Sequence, residues 1–313
     1  MEKARNLLAL GLDLPVITRR GLLTAAVGGL VVACRGQAPA IVTSKNRIEA
    51  PGCFLASEQE QGPYYVDQRL VRQDITESRP GIPLRLQIVV LDTQRCTPIQ
   101  NAALDIWHCD SAGVYSGYTS NSPDGPQFRG GQRRPRPTSM DGGPPPGPPP
   151  GSDFGPGNGP PPFRRGPSDD TRFFRGVQMT DATGLAEFVT VYPGWYMGRD
   201  IHIHMKVHIS GSIKAGTYDG GHVCHTGQLF FPEDISDAVA KLPPYATHHT
   251  ERTRQDEDNV FTSQHGSDFI VSLAQSNKRS MADGFVAKAV LGVNPEAVPS
   301  VVGPGGPPPR FNR

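Results

Sequence analysis

The sequence predicts an all-β protein: an antiparallel β-sandwich of the immunoglobulin-like or prealbumin-like kind, with long loops and one short helix. Two observations support this fold. From Cys53 onward, short apolar runs are separated by turn residues along the chain, and only one stretch has a helical pattern. Many short strands joined by turns are typical of two antiparallel sheets packed face to face.

The predicted strands alternate polar and apolar residues, or are continuously apolar between turn residues. In chain order they are residues 84–91, 103–108, 185–191, 201–209, 227–231 and 285–291. In the second of these, alternation places Asp105 and Trp107 on one face of the strand. The helical pattern covers residues 233–242.

Composition excludes some partners and divides the chain. The 313 residues carry a net charge of +1, which gives no electrostatic reason to expect binding to nucleic acid or an anionic membrane surface. Residues 53–296 are expected to form the sandwich domain. A Pro/Gly-rich insertion at residues 121–167 cannot form a packed core and is predicted to be a surface loop, and the tail at residues 297–313 is predicted to be disordered.

The N-terminus predicts export. Arg19 and Arg20 precede an apolar run at residues 22–33 that is too short to span a bilayer, which is typical of a twin-arginine signal. The residues before Cys34 resemble a bacterial lipobox. We therefore expect residues 1–33 to be a signal peptide and residues 34–52 a polar tether. We would then expect a bacterial cell-envelope lipoprotein that touches the membrane only through Cys34, or a secreted bacterial protein. A mature N-terminus elsewhere than Cys34 would exclude lipidation.

The four remaining cysteines leave the disulfide pattern open. Cys53, Cys96, Cys109 and Cys224 allow three complete pairings, and the sequence does not choose among them. No Cys-x-x-Cys spacing favours a thiolate metal site.

Residues 192–204 carry the main chemical signal. His202 and His204 are two apart in a predicted strand, so both imidazoles lie on one face and can bind a single metal ion. Alone, such a pair is more often polar residues on a solvated strand face. Tyr196 and Arg199 in the preceding turn, and Tyr115 just past another strand, favour the metal site, although either tyrosine alone is typical of a packed aromatic residue.

Residues 107–118 together with residues 192–204 resemble the intradiol ring-cleavage dioxygenases, non-haem iron(III) enzymes that cleave catechols between their two hydroxyls. Further matches are residues 61–65, 175–178 and 226–231. The resemblance covers most of residues 53–295 and is to the shorter, exported members of the family. Residues 35–52 are too short and too polar to supply the N-terminal helical segment of the dimeric catechol 1,2-dioxygenases, so neither that dimer interface nor its lipid-binding groove is expected.

The resemblance implies roles for particular residues. It implies iron(III) held by Tyr115, Tyr196, His202 and His204, with Tyr64 and Tyr65 as disfavoured competitors. Phenolate is a hard donor that suits this hard cation. Two further roles follow from the resemblance: Tyr196 would also serve as a general base, and Arg199 and Gln228 would line the substrate pocket, with Arg199 stabilising negative charge.

The implied substrates are O2 and a small aromatic diol, and the product is a muconic acid. The sequence does not distinguish catechol, hydroxyquinol, protocatechuate or a lignin-derived diol. Two alternatives stand beside this function. One is a copper or zinc protein that uses His202 and His204 with His222 or His225, and the other is a lipid-tethered β-sandwich binding module without catalysis. For His108, His222 and His225 themselves, a surface or structural role is expected.

Overall fold

The computed structural model describes residues 54–120, 166–277, 279–300 and 302. The predicted signal peptide, the tether, residues 121–165 of the insertion and most of the tail lie outside the described residues. Within the described residues, no helix is long and apolar enough to cross a membrane.

The described chain is an all-β sandwich, as predicted. Its strands are β1 (Pro83–Asp92), β2 (Thr97–Pro98), β3 (Ala103–Trp107), β4 (Arg175–Met179), β5 (Leu185–Val191), β6 (His202–Lys214), β7 (Thr217–Phe230), β8 (Ser272–Gln275) and β9 (Phe285–Val293). Two short α-helices follow β7, α1 (Glu233–Val239) and α2 (Asn259–Ser263). The helix predicted at residues 233–242 corresponds to α1, and the five residues of α2 are too few to show helical periodicity.

The strands form two open sheets. In the first sheet β1 lies at the centre, with β2 and β5 along one edge and β9 then β8 along the other. The second sheet has the order β4-β3-β6-β7. All pairings between these strands are antiparallel except β1 with β9, which is parallel. Leu55 also bridges to Gly292, so the described domain begins and ends along the same strand.

The core lies between the two sheets. Along β1 every second residue is buried, which places Leu84, Leu86, Ile88 and Val90 in the core. The second sheet contributes Ile203, Met205 and Val207 from β6. Alternation then puts His202, His204, Lys206 and His208 on the opposite, outer face of β6.

The outer face of the second sheet is buried as well. Residues 58–72, called here the N-terminal cover, run across it. The Gln59 N–H donates to the Thr226 carbonyl at 2.9 Å, and the Arg72 N–H donates to the Val177 carbonyl at 3.1 Å. The first seven residues of β6 are consequently all buried. Any polar group on this face must find its partners within the protein.

His108, directly after β3, has a structural role, as expected. Its Nδ1–H donates to the Cys109 carbonyl at 2.7 Å, so its Nε2 accepts from the Thr190 hydroxyl at 2.7 Å. The ring stacks on Phe174 with 4.6 Å between centroids. Burial lowers the pKa of His108 to about 4.

We expect His108→Gln to reduce the acid sensitivity of the fold. Unfolded histidine takes up a proton near pH 6.5, whereas folded His108 does so only near pH 4. The wild-type free energy of unfolding therefore falls as the pH drops through this window, by up to about 1.4 kcal/mol per pH unit from this residue. Glutamine can donate and accept in the same places without titrating.

Urea unfolding at pH 7, 6 and 5 measures this dependence. His249→Gln, at an exposed position, is the control and should leave the wild-type dependence unchanged. Equal pH dependence for wild type and H108Q would contradict the assignment.

Candidate metal centre

The four side chains predicted to bind a metal ion converge on one point. His202 Nε2 lies 3.0 Å from His204 Nε2 and 3.4 Å from the hydroxyl oxygens of both Tyr115 and Tyr196. Each of the four residues is 5% exposed or less. The chain thus brings together residues from the loop after β3, a turn and β6 in a single buried cluster.

The strand register and a tight turn orient His204. Trp107 on β3 is its direct partner across the sheet, and the indole and imidazole rings stack with an interplanar angle of 1° and 5.0 Å between centroids. On the other side lies Gly62 of the N-terminal cover, at φ +70°, where a Cβ would approach His204 Cε1 to 3.0 Å. The imidazole is therefore confined between an indole and a backbone that has no room for a side chain.

Close packing of two loops brings the tyrosines together. Gly194, in the turn before Tyr196, lies against the backbone of Asp110 and Ser111, where any Cβ would overlap with the Asp110 carbonyl oxygen. The Tyr115 and Tyr196 rings meet edge to face at 5.7 Å between centroids. A glycine at position 194 is thus a steric condition for the tyrosine pair.

A buried arginine on β4 ties the Tyr115 loop to the N-terminal cover. Arg175 donates from Nη2 to the carbonyls of Ser116 at 2.6 Å and Tyr64 at 2.7 Å, and from Nε to the Ser116 hydroxyl at 2.8 Å. The Tyr64 ring stacks on Tyr115 with 4.5 Å between centroids. The guanidinium therefore fixes the backbone on either side of this stack.

Hydrogen bonding determines which nitrogen of His202 is available. Its Nδ1 lies 2.6 Å from the Asp200 carbonyl oxygen, which can only accept, so Nδ1 carries the proton. Burial and then the positive charge of Arg199 lower the pKa of His202 to about 3, so the ring is neutral. Its Nε2 therefore presents a lone pair toward the other three side chains.

The charges of the cluster fit a cation. Burial raises the pKa of both Tyr115 and Tyr196, so both phenols stay protonated unless a positive charge stabilises their ionised forms. Burial and the neighbouring His202 also hold the pKa of His204 far below its ordinary value. With both phenols ionised, two phenolates and two neutral imidazoles are a donor set that a hard, highly charged ion can bind, and they offset two of its positive charges.

Comparisons with solved structures identify similar proteins. The chain is 28% identical to an intradiol ring-cleavage dioxygenase from Tetranychus urticae, with a TM-score of 0.59 over 80% of this chain and 98% of that one. A second dioxygenase structure is also 28% identical, with a TM-score of 0.57 and the same coverage. The structural neighbours of the present chain are intradiol ring-cleavage dioxygenases. No family model and no curated protein matches the sequence.

The two pocket residues implied by the intradiol resemblance are in direct contact. Arg199 Nη2 donates to Gln228 Oε1, and Gln228 Nε2 donates to the Glu60 carbonyl at 2.8 Å. Because the Gln228 amide nitrogen donates to the Glu60 carbonyl, the amide oxygen of Gln228 faces the Arg199 guanidinium. The positive charge of Arg199 also opposes the rise in pKa that burial imposes on Tyr196.

The competing tyrosines have other partners. Tyr65 donates its hydroxyl toward Asp105 at 3.0 Å and Asp67 at 3.1 Å, and Lys206 Nζ lies 3.5 Å from the centre of its ring. Tyr64 forms the stack on Tyr115 described above. The hydroxyl of Tyr65 therefore has its partners outside the cluster, whereas the Tyr64 ring packs against a member of it.

The third histidine that the copper or zinc alternative requires has other partners. Within residues 54–120, 166–277 and 279–302 as far as they are described, no group of three or more His, Cys, Asp and Glu side chains could hold a metal ion. His225 Nδ1 pairs with Glu58 at 2.6 Å, and His222 Nε2 lies 3.0 Å from the Pro295 carbonyl. Neither joins His202 and His204.

Sequence reasoning missed two residues that support the intradiol-like site. Arg175 was noted only as part of a motif, and Asp258, which accepts from Arg199 Nε at 3.0 Å, was not noted at all. An aspartate immediately before a short apolar segment is a helix N-cap signal, which could have drawn attention to Asp258. Its contact with Arg199 depends on the tertiary fold and has no local signature.

We expect Gly194→Ala to destabilise the protein by about 1–3 kcal/mol, because the methyl group has no space beside Asp110 and the two tyrosine-bearing loops must separate. Urea unfolding measures the loss. Gly166→Ala, at an exposed position with open space around the new methyl group, should stay within about 0.5 kcal/mol of wild type. Wild-type stability for G194A would show that the loops do not pack this closely.

Proposed function

We propose that this protein is an intradiol dioxygenase that uses iron(III) and O2 to cleave a catechol-type aromatic diol between its hydroxyls, giving a muconic acid. The observation that carries the proposal is the convergence of Tyr115, Tyr196, His202 and His204, whose donor atoms all lie within 3.4 Å of His202 Nε2. The similarity to an intradiol dioxygenase at 28% identity over 80% of the chain supports it.

The same four residues would hold the iron. Bound iron(III) would ionise the two tyrosines, orient the diol and activate it for reaction with O2. The protein prepares for this by keeping both imidazoles neutral and by aiming the His202 Nε2 lone pair into the cluster. The stack of Trp107 on His204 and the close approach of Gly62 restrict the other imidazole before any ligand binds.

The surroundings of the two tyrosines distinguish their roles. Tyr115 is fully buried, stacked by Tyr64 and held in a loop that Arg175 fixes. Tyr196 lies in a turn whose next residue, Met197, is 71% exposed. Tyr196 is therefore the phenol that can move, and its ionised hydroxyl oxygen would accept a proton from a hydroxyl of the entering diol.

Arg199 and the surrounding aromatic residues act on the substrate side of the reaction. The guanidinium carries a permanent positive charge close enough to Tyr115 and Tyr196 to influence the pKa of both. The same charge would stabilise the negative charge of the deprotonated diol. The aromatic cluster of Tyr64, Trp107 and Tyr118 excludes water from this side of the site, which strengthens that attraction.

Export through a twin-arginine signal, with a lipid anchor at Cys34, stays a prediction from the first 34 residues. It does not affect the chemistry proposed for the domain.

The proposal is tested by O2 consumption of iron-loaded protein with a panel of substituted catechols. We expect one O2 consumed per diol, and 18O2 should label the muconic acid product with both atoms. Zinc-loaded protein is the control and should consume no O2. Extradiol products, or no O2 uptake with any catechol, would refute the function, and the second result would favour a binding module.

Replacement of single tyrosines tests the ligand assignment. We expect Tyr115→Phe and Tyr196→Phe each to lower kcat by about 10²-fold or more, because each removes one phenolate. Each should also weaken the purple-red absorption expected of the iron-loaded protein, which arises from charge transfer from tyrosinate to iron. Tyr118→Phe is the matched control: it belongs to the same aromatic cluster, and its hydroxyl donates to the Tyr65 carbonyl at 3.3 Å. If Y118F loses as much colour as Y196F, the assignment fails.

A further inference from the structure

Asp258 links three parts of the protein through one carboxylate. Its Oδ2 accepts from Arg199 Nε at 3.0 Å and from the Asp200 N–H at 2.8 Å. Its Oδ1 accepts from the N–H groups of Val260 at 2.8 Å and Phe261 at 3.2 Å, and so caps α2. The side chain is fully buried, so no solvent substitutes for these donors.

The first link orients the Arg199 side chain. With Nε bound to Asp258, the plane of the guanidinium is fixed, and Nη2 is left to donate to Gln228. Nη1 lies 3.8 Å from the Glu60 carboxylate on the other side. Arginine presents its donors in a rigid fork, so fixing one nitrogen fixes the direction of the others.

The second link reaches His202 through the backbone. The Asp200 N–H is bound by Asp258, and the Asp200 carbonyl accepts from His202 Nδ1 at 2.6 Å. The Asp200 side chain is held separately by Arg252, at 2.9 Å. Residue 200 is thus fixed on both sides, and its carbonyl selects the His202 tautomer whose Nε2 faces the cluster.

The charge of Asp258 is suited to this position. Burial by itself would raise the pKa of Asp258, but the positive charge of Arg199 and the backbone donors keep the pKa below its ordinary value. An ionised carboxylate accepts from all four donors at once, whereas a neutral amide or acid would place a hydrogen against one of them. Hydrogen bonds to an ionised acceptor are also the stronger kind.

We propose that Asp258 is a positioning residue of the active site, which holds Arg199 toward the substrate and, through the backbone of Asp200, holds His202 in its ligating tautomer. This inference rests on the proposed function for the part that concerns substrate. Asp258 itself touches no reacting atom in this scheme, so its effect must pass through Arg199 and His202.

Two variants separate this role from that of capping α2. Serine is a good N-cap and its hydroxyl can accept from the start of α2, but it carries no charge and is too short to reach Arg199 as well. Asp258→Ser therefore removes the links to Arg199 and Asp200 while keeping the cap. Asp258→Asn keeps the size of the side chain, but its NH2 group would face either the N–H groups at the start of α2 or the Arg199 Nε–H. This variant is used if D258S does not fold.

Catechol binding without O2 measures the Arg199 link, since no turnover then occurs. We expect D258S to raise the Kd of the iron-loaded full chain for catechol about tenfold. In an Arg199→Ala background the same change should raise the Kd by a clearly smaller factor, because the Arg199 link is gone and only the link through His202 is left. This dependence on Arg199 is what a purely structural role would not show; equal losses in both backgrounds overturn the proposal.

Nitrogen NMR of the metal-free chain measures the His202 link without relying on activity. In wild type we expect His202 protonated at Nδ1 and the Arg199 Nε–H signal protected from exchange. In D258S we expect a mixture of His202 tautomers and rapid exchange at Arg199 Nε. Wild-type spectra in D258S would overturn the proposal even if its catechol affinity had fallen.

A control on α2 completes the test. Thr262 donates its hydroxyl to the Asp258 carbonyl at 2.9 Å, on the α2 side of that residue. Thr262→Val should lower thermal stability and leave both catechol affinity and the His202 spectrum as in wild type; the same spectral change in T262V would overturn the specific role of Asp258. If wild-type protein binds and cleaves no catechol, the proposed function fails, and the NMR comparison alone then decides the positioning role.

Discussion

The outer face of the second sheet carries histidines, a lysine and an aspartate, yet the N-terminal cover buries it. Buried polar groups that lack partners are costly, so this face constrains everything packed against it. His202 and His204 occupy the end of the face nearest the tyrosine-bearing loops. Burial, together with the positive charge of Arg199 at His202, keeps both imidazoles neutral. The Asp200 carbonyl sets the tautomer of His202, and the Trp107 indole and the Gly62 backbone confine His204.

The site is assembled by contacts between segments more than by any single loop. Gly194 allows the turn of Tyr196 to lie against residues 110 and 111, while Arg175 joins the Tyr115 loop to the cover. Asp258 adds a third connection, from α2 to residues 199 and 200. Each connection is buried, and each uses a residue type that substitutes poorly: a glycine without space, an arginine fork and a carboxylate with several donors.

Much of this arrangement could be predicted from sequence. Strand β5 has the predicted bounds, and alternation predicts that His202 and His204 share one strand face. The grouping of this pair with Tyr115 and Tyr196 was implied by the intradiol resemblance and not by the local pattern. Local alternation determines which face of a strand a residue occupies, and this was sufficient for the histidines.

Other features could not be predicted because they depend on pairing between distant segments. The parallel pairing of β9 with β1 leaves no mark in the alternation of either strand. The first half of β7 is polar and glycine-rich because it pairs in an exposed hairpin and not in the core, so its strand character was missed. The local sequence around Asp258 indicates a helix N-cap, and only the tertiary fold brings Asp258 into contact with Arg199.

The bridge between Leu55 and Gly292 has a practical consequence for the topology of the chain. The Ala56 N–H donates to the Gly292 carbonyl at 2.8 Å, and the bridge is parallel. The chain before Leu55 and the chain after Gly292 therefore run in opposite directions from this bridge, and a linker that joined them would have to turn back along the sheet. A circular permutant with new ends in the exposed turn between β6 and β7 would thus need a longer connection than the contact between Leu55 and Gly292 suggests.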